Sequence, residues 1–81
     1  MREIDVMLVV ELHDATPYQQ DQFRKEMYSR DWVPMADGRA LYAAFPGSTT
    51  DSGIIRTSEG EVSEAAEDSG IDDWEATCVL A

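Results

Sequence analysis

The chain has 81 residues, enough for one domain, and at this size a core buries only about 60% of the surface that the unfolded form exposes. With 43% hydrophobic and 28% charged residues it has the composition of an ordinary globular domain and not of a disordered chain, and its one cysteine, Cys78, excludes an internally disulfide-stapled miniprotein. A formal net charge of −11 disfavours direct contact with nucleic acid and favours cationic partners.

In chain order, the first element is the clearest. Ile4, Val6, Leu8, Val10 and Leu12 alternate with Asp5, Met7, Val9, Glu11 and His13, the period of a strand with one face on the core. Met7 and Val9 make its middle apolar on both faces, which places it inside a sheet. Thr16, Pro17 and Gln19 supply an N-cap, a proline at the first helical position and a capping-box partner, so a helix is expected from there to about Arg30. Its core stripe is Phe23 and Met27 with Gln20 beside them, and Asp21 and Lys25 are spaced as an i,i+4 ion pair. Val33 to Ala36 reads as a short extended arm that Pro34 confines to an edge, Asp37-Gly38 as a hairpin turn, and Ala40 to Phe45 as the returning strand.

Pro46-Gly47 and the small polar residues through Gly53 read as a surface loop, and Ile54-Ile55-Arg56 fits either a further short strand or a segment under the second helix. Ser58 and Glu61 form a second capping box and Gly70 a stop, which predicts a helix from Glu59 to Ser69. On its wheel Val62, Ala65, Ala66 and Ser69 share one side, while Glu61, Glu64, Glu67 and Asp68 are expected on the opposite side. Trp74, Ala76, Cys78 and Leu80 alternate with Glu75, Thr77 and Val79 as a last strand. The order strand, helix, strand, strand, helix, strand predicts a single α+β domain of the ferredoxin-like βαββαβ type spanning residues 1–81. Its antiparallel sheet would carry both helices on one face and the first strand at its centre.

The charge is regional. Residues 1–39 hold eight acids and five bases; residues 40–81 hold nine acids and one base, Arg56. Glu59, Glu61, Glu64, Glu67, Asp68, Asp72, Asp73 and Glu75 fall within seventeen residues that contain no Lys or Arg. Such a run is either a solvated face or a surface that attracts proteins which normally bind phosphates. Acids at Glu3 and Asp5 occupy the place of a signal peptide's basic segment. No stretch approaches the roughly 18 apolar residues of a membrane span, so a cytoplasmic protein without membrane contact is expected.

Candidates for catalysis are few. His13, the single histidine, stands beside Asp14 at a strand end, where acid–base dyads occur but where Asp14 also suits the turn. Cys78 lies mid-strand on the expected core face with no second histidine to activate it, and reads as packing. No zinc, EF-hand, phosphate-loop or nucleophile-elbow spacing is present, so neither a cofactor nor a specific metal is expected. Trp32, Trp74, Tyr18 and Tyr42 fit the edges of a small core. Tyr28 falls on the wheel away from Phe23 and Met27 and is a candidate contact residue.

Val10-Glu11-Leu12-His13-Asp14-Ala15-Thr16, followed by a helix, Trp32 and a hairpin, resemble the front half of small bacterial and phage proteins of the GhoS antitoxin type, which share the fold of the small CRISPR integration nuclease. That likeness covers residues 4–45 and implies an endoribonuclease antitoxin acting through Arg24, Lys25 or Arg30. In size, acidity and simplicity of sheet the chain is also similar to the anti-CRISPR proteins with which phages mimic nucleic acid. This second likeness implies a non-enzymatic inhibitor, monomeric or homodimeric, in the cytoplasm of a bacterial host. It would block the basic nucleic-acid-binding groove of an effector complex of the Cascade type through Glu59, Glu61, Glu64, Glu67, Asp68, Asp72, Asp73 and Tyr28. The net charge favours the inhibitor; an endoribonuclease antitoxin or another toxin-neutralising immunity protein is the alternative.

Overall fold

The computed structural model describes residues 2–35 and 40–80, so the Asp37-Gly38 turn lies outside the described residues. Its elements run β1 (Glu3–His13), α1 (Pro17–Ser29), β2 (Val33–Pro34), β3 (Ala40–Pro46), α2 (Asp51–Asp68) and β4 (Asp73–Leu80). The four strands form one antiparallel sheet in the order β2-β3-β1-β4, the ferredoxin-like arrangement with β1 inside and β2 and β4 at the edges. Alternation in β1 sends Val6, Leu8 and Val10 into the core. There they meet Phe23 and Met27 of α1 and Ile54, Val62, Ala65 and Ala66 of α2, so both helices cover the same face. Trp74, Ala76, Cys78 and Leu80 of β4 pack against that core from its edge.

The start of α1 follows its capping box. The Gln19 N–H donates to Thr16 Oγ1 at 3.1 Å while the Thr16 N–H donates to Gln19 Oε1 at 2.9 Å, which satisfies two amides that a helix start leaves unpaired. The two helices end alike. At the close of α1 the Asp31 N–H donates to Tyr28 O and the Trp32 N–H to Met27 O, both at 3.1 Å, with Asp31 left-handed at φ 69°. At the close of α2 the Gly70 N–H donates to Glu67 O at 3.1 Å and the Ile71 N–H to Ala66 O at 2.8 Å, with Gly70 at φ 74°. Each is a Schellman motif, and in each the apolar residue after the left-handed one, Trp32 or Ile71, turns into the core.

The second helix begins earlier than Ser58 and Glu61 suggest. Thr50 caps it, accepting from the Gly53 N–H at 3.1 Å, so residues 51–53, expected in the loop, and Ile54-Ile55-Arg56, expected as a strand or a segment under the helix, are part of the helix itself. Ile54, Ser58, Val62, Ala65, Ala66 and Ser69 recur at three- and four-residue spacing and are all buried, a single stripe that runs back past the supposed cap. Burial of Ile54 outweighs the glycines at 53 and 60, each of which costs a helix up to about 1 kcal/mol relative to alanine. Ser58 is therefore a mid-helix core residue, its hydroxyl buried without a hydrogen-bond partner among the described residues.

Candidate interaction surface

Three surfaces carry the side chains that chemistry can use: the seam between the helices, the outer side of α2 with the start of β4, and the sheet face turned away from the helices. At the seam the guanidinium of Arg30, at the end of α1, collects carboxylates from both helices. Its Nη1 donates to Glu26 Oε2 at 2.9 Å, and its Nη2 stands 3.7 Å from Glu64 Oε2 and 3.5 Å from Asp68 Oδ2. The hydrogen bond to Glu26, assisted by the charges of Glu26 and Glu64, holds Arg30 above its ordinary pKa. Buried Trp32 extends the seam. Its ring meets Phe45 edge-on at a centroid distance of 6.1 Å, and its Nε1–H donates to Glu61 Oε1 at 3.3 Å. Burial is the largest influence on Glu61 and pushes its carboxyl above the ordinary value, against the lowering effect of the Trp32 bond and of Arg30.

The acidic run is thus divided by the fold. Glu61, expected on the outer face of α2, is half-buried at the seam, because position 61 borders the buried stripe through Ile54 and Ala65. Glu64 and Asp68 are exposed but share Arg30, a cation distant in sequence. Glu59, Glu67, Asp72 and Asp73 are exposed, and among the described residues none of them has an ion-pair partner. Tyr28 is exposed on α1, as expected; Tyr18, expected at the edge of the core, is instead exposed, while Trp32 is buried and Trp74 half-buried. Of the cations proposed for an antitoxin, Lys25 pairs with Asp21 at 3.7 Å and Arg30 is held in the seam.

The outer face of the sheet has an apolar centre and acidic ends. Val33, Tyr42, Met7 and Val79 are in register across β2, β3, β1 and β4, and a depression of about 220 Å³ lies between Asp5, Met7, Met35, Tyr42 and Val79. The Tyr42 hydroxyl donates to Asp5 Oδ1 at 2.7 Å, a bond to a carboxylate that raises the phenol's pKa. Beyond this apolar row, Glu11 stands opposite Glu75 and His13 opposite Asp73. His13 meets Glu75 across the strands, Nε2 to Oε2 at 3.8 Å, and one ligand atom each from Glu11, His13 and Glu75 lies within 4.8 Å of the others. Glu11 and His13 are two residues apart on one face of β1, but Glu75 is distant in sequence. Only the register of β1 against β4 brings them together. Asp14, the sequence neighbour of His13, instead takes the left-handed turn into α1 at φ 55°.

No helix among the described residues is long and apolar enough to cross a membrane. Comparison with protein-family models, with curated proteins and with solved structures finds no match to this chain.

Proposed function

We propose that this chain is a non-enzymatic inhibitor that offers carboxylates to the basic nucleic-acid-binding groove of a partner, in the manner of an anti-CRISPR nucleic-acid mimic acting on an effector complex of the Cascade type. The observation that carries the reading is the set of exposed carboxylates, Glu59, Glu67, Asp72 and Asp73, that have no ion-pair partner among the described residues, on a chain of net charge −11. Exposed carboxylates of this kind are drawn to Lys and Arg spaced to hold phosphates, and they act mainly on the rate of encounter. Glu64 and Asp68 add negative potential to the same helix but are anchored to Arg30, and Glu61 belongs to the seam. The size and acidity of the chain supply the link to effector complexes. Tyr28, exposed on α1, is a candidate anchor at the margin of the contact.

The reading is tested by titrating the protein into a purified Cascade-type effector holding its guide RNA and measuring binding of labelled target DNA. Competitive loss of DNA binding is expected, with association slowing as salt rises. DNA binding unchanged at saturating protein would overturn the reading for this partner. Labelled RNA incubated with the protein alone checks the antitoxin alternative, and cleavage abolished by His13→Ala or Arg24→Ala would favour that alternative.

A further inference from the structure

We propose that Glu11, His13 and Glu75 form a binding site for a divalent ion of the zinc class on the outer face of the sheet. Glu11 and Glu75 are directly opposed on β1 and β4, and opposed like charges on neighbouring strands destabilise the pair. The one group of opposite potential charge within ion-pair distance of either glutamate, among the described residues, is His13. A cation shared by both carboxylates removes that repulsion.

The ligand atoms are already close to what an ion requires. A tetrahedral zinc with ligands at about 2.1 Å separates its donors by roughly 3.4 Å. The His13 Nε2 to Glu75 Oε2 distance is 3.8 Å, and all three donors fall within 4.8 Å, so small side-chain rotations close the set. Imidazole selects the ion: a nitrogen donor with two carboxylates suits zinc, nickel or cobalt, whereas calcium and magnesium prefer oxygen alone. This nitrogen also sets the cluster apart from the carboxylates of α2. The backbone under the donors is two paired strands, so their spacing is fixed by the sheet, and Glu75 lies on the side of the edge strand β4 opposite to Trp74 and Ala76, which pack on the core. Three protein donors on an open face leave a coordination position for water or for a partner's side chain. Asp73, paired with His13 across the strands, places a further carboxylate at the next position. The site stands independently of the inhibitor reading, since none of its three ligands, Glu11, His13 and Glu75, is among the carboxylates Glu59, Glu67, Asp72 and Asp73 on which that reading rests.

Calorimetric titration of the full chain with zinc(II) in a chelator-free buffer tests it. One ion per chain is expected, with calcium and magnesium binding at least about tenfold more weakly. His13→Ala should weaken zinc binding by about tenfold or more, and Glu11→Gln and Glu75→Gln should each weaken it as well. Cys78→Ser should leave it unchanged, because Cys78 lies on the core face. A zinc-dependent rise in melting temperature that disappears in Glu75→Gln gives a second readout, and the circular dichroism of each variant shows that the sheet is retained. Failure of the wild-type chain to bind zinc, zinc binding of unchanged strength in folded His13→Ala, or its loss in Cys78→Ser would overturn the proposal.

Discussion

Along the seam between α1 and α2, Glu61, Glu64 and Asp68 meet Trp32 and Arg30, whereas Glu59, Glu67, Asp72 and Asp73, drawn from the same run of sequence, face solvent with no ion-pair partner among the described residues. The two groups have the same chemistry; Glu59 and Glu67 are separated from the seam by the side of α2 on which they fall, and Asp72 and Asp73 by lying beyond its end, at the approach to and start of β4. Carboxylates of the first group are coupled to folding, so their removal changes stability. Those of the second have no ion-pair partner among the described residues, and changing Glu59, Glu67 or Asp72 should alter mainly what the surface attracts. Counting acids along the chain does not distinguish a structural carboxylate from one that is free to meet a partner.

The largest effect should come from breaking the seam at its buried end. Trp32→Ala removes a fully buried ring, its edge-on contact with Phe45 and the donor to Glu61, and is expected to cost about 3–5 kcal/mol in urea unfolding. That is a large part of the roughly 5–15 kcal/mol that holds a domain folded. Arg30→Met leaves Glu26, Glu64 and Asp68 gathered without their shared cation, and should lower stability by about 1 kcal/mol at low salt, with the difference narrowing as salt screens the carboxylates. A gap that does not respond to salt would mean that Arg30 acts through packing alone.

Glu61→Gln sharpens the comparison with a smaller effect and a defined sign. Burial raises the Glu61 pKa in the folded chain, so folding is favoured by this group below its unfolded value of about 4.3, and that advantage is lost as pH rises through the folded value. At neutral pH the charged Glu61 therefore works against the fold. The glutamine keeps an acceptor for Trp32 Nε1–H without the charge, and should raise stability at neutral pH by under about 1 kcal/mol once solvent screening is allowed for. The gain should vanish in acid. Thermal melts of both proteins at neutral pH and in acid check this, and a gain that persists in acid would assign the effect to something other than the carboxyl's ionisation.

Much of the fold was legible in the chain because local signals and global pattern agreed. Period-two alternation placed β1 and β4, Thr16 and Gln19 placed the start of α1, and Pro34 marked the edge strand. The start of α2 was not legible in the same way: Ser58 and Glu61 imitate a capping box, while the true cap, Thr50, has a glycine three residues on, Gly53, where a capping box has Glu or Gln. The stripe of Ile54, Ser58 and Val62 becomes visible only when a serine is allowed to be buried. For the candidate site, the acids and their excess were plain, but their division was not. Arg30 lies 34 residues from Glu64, and the pairing of Glu11 with Glu75 depends on which strand lies beside β1, so both are tertiary facts.

The central claim is that the solvent-facing carboxylates, and not those of the seam, make the partner contact. It is tested most directly by the triple variant Glu59→Lys, Glu67→Lys, Asp72→Lys, measured for displacement of labelled target DNA from the effector complex after its melting profile has been matched to the wild type. The account predicts a folded protein whose association with the effector is slowed and whose inhibition is abolished. A folded triple variant that inhibits at wild-type strength would contradict it, and would leave those carboxylates as a solvated face.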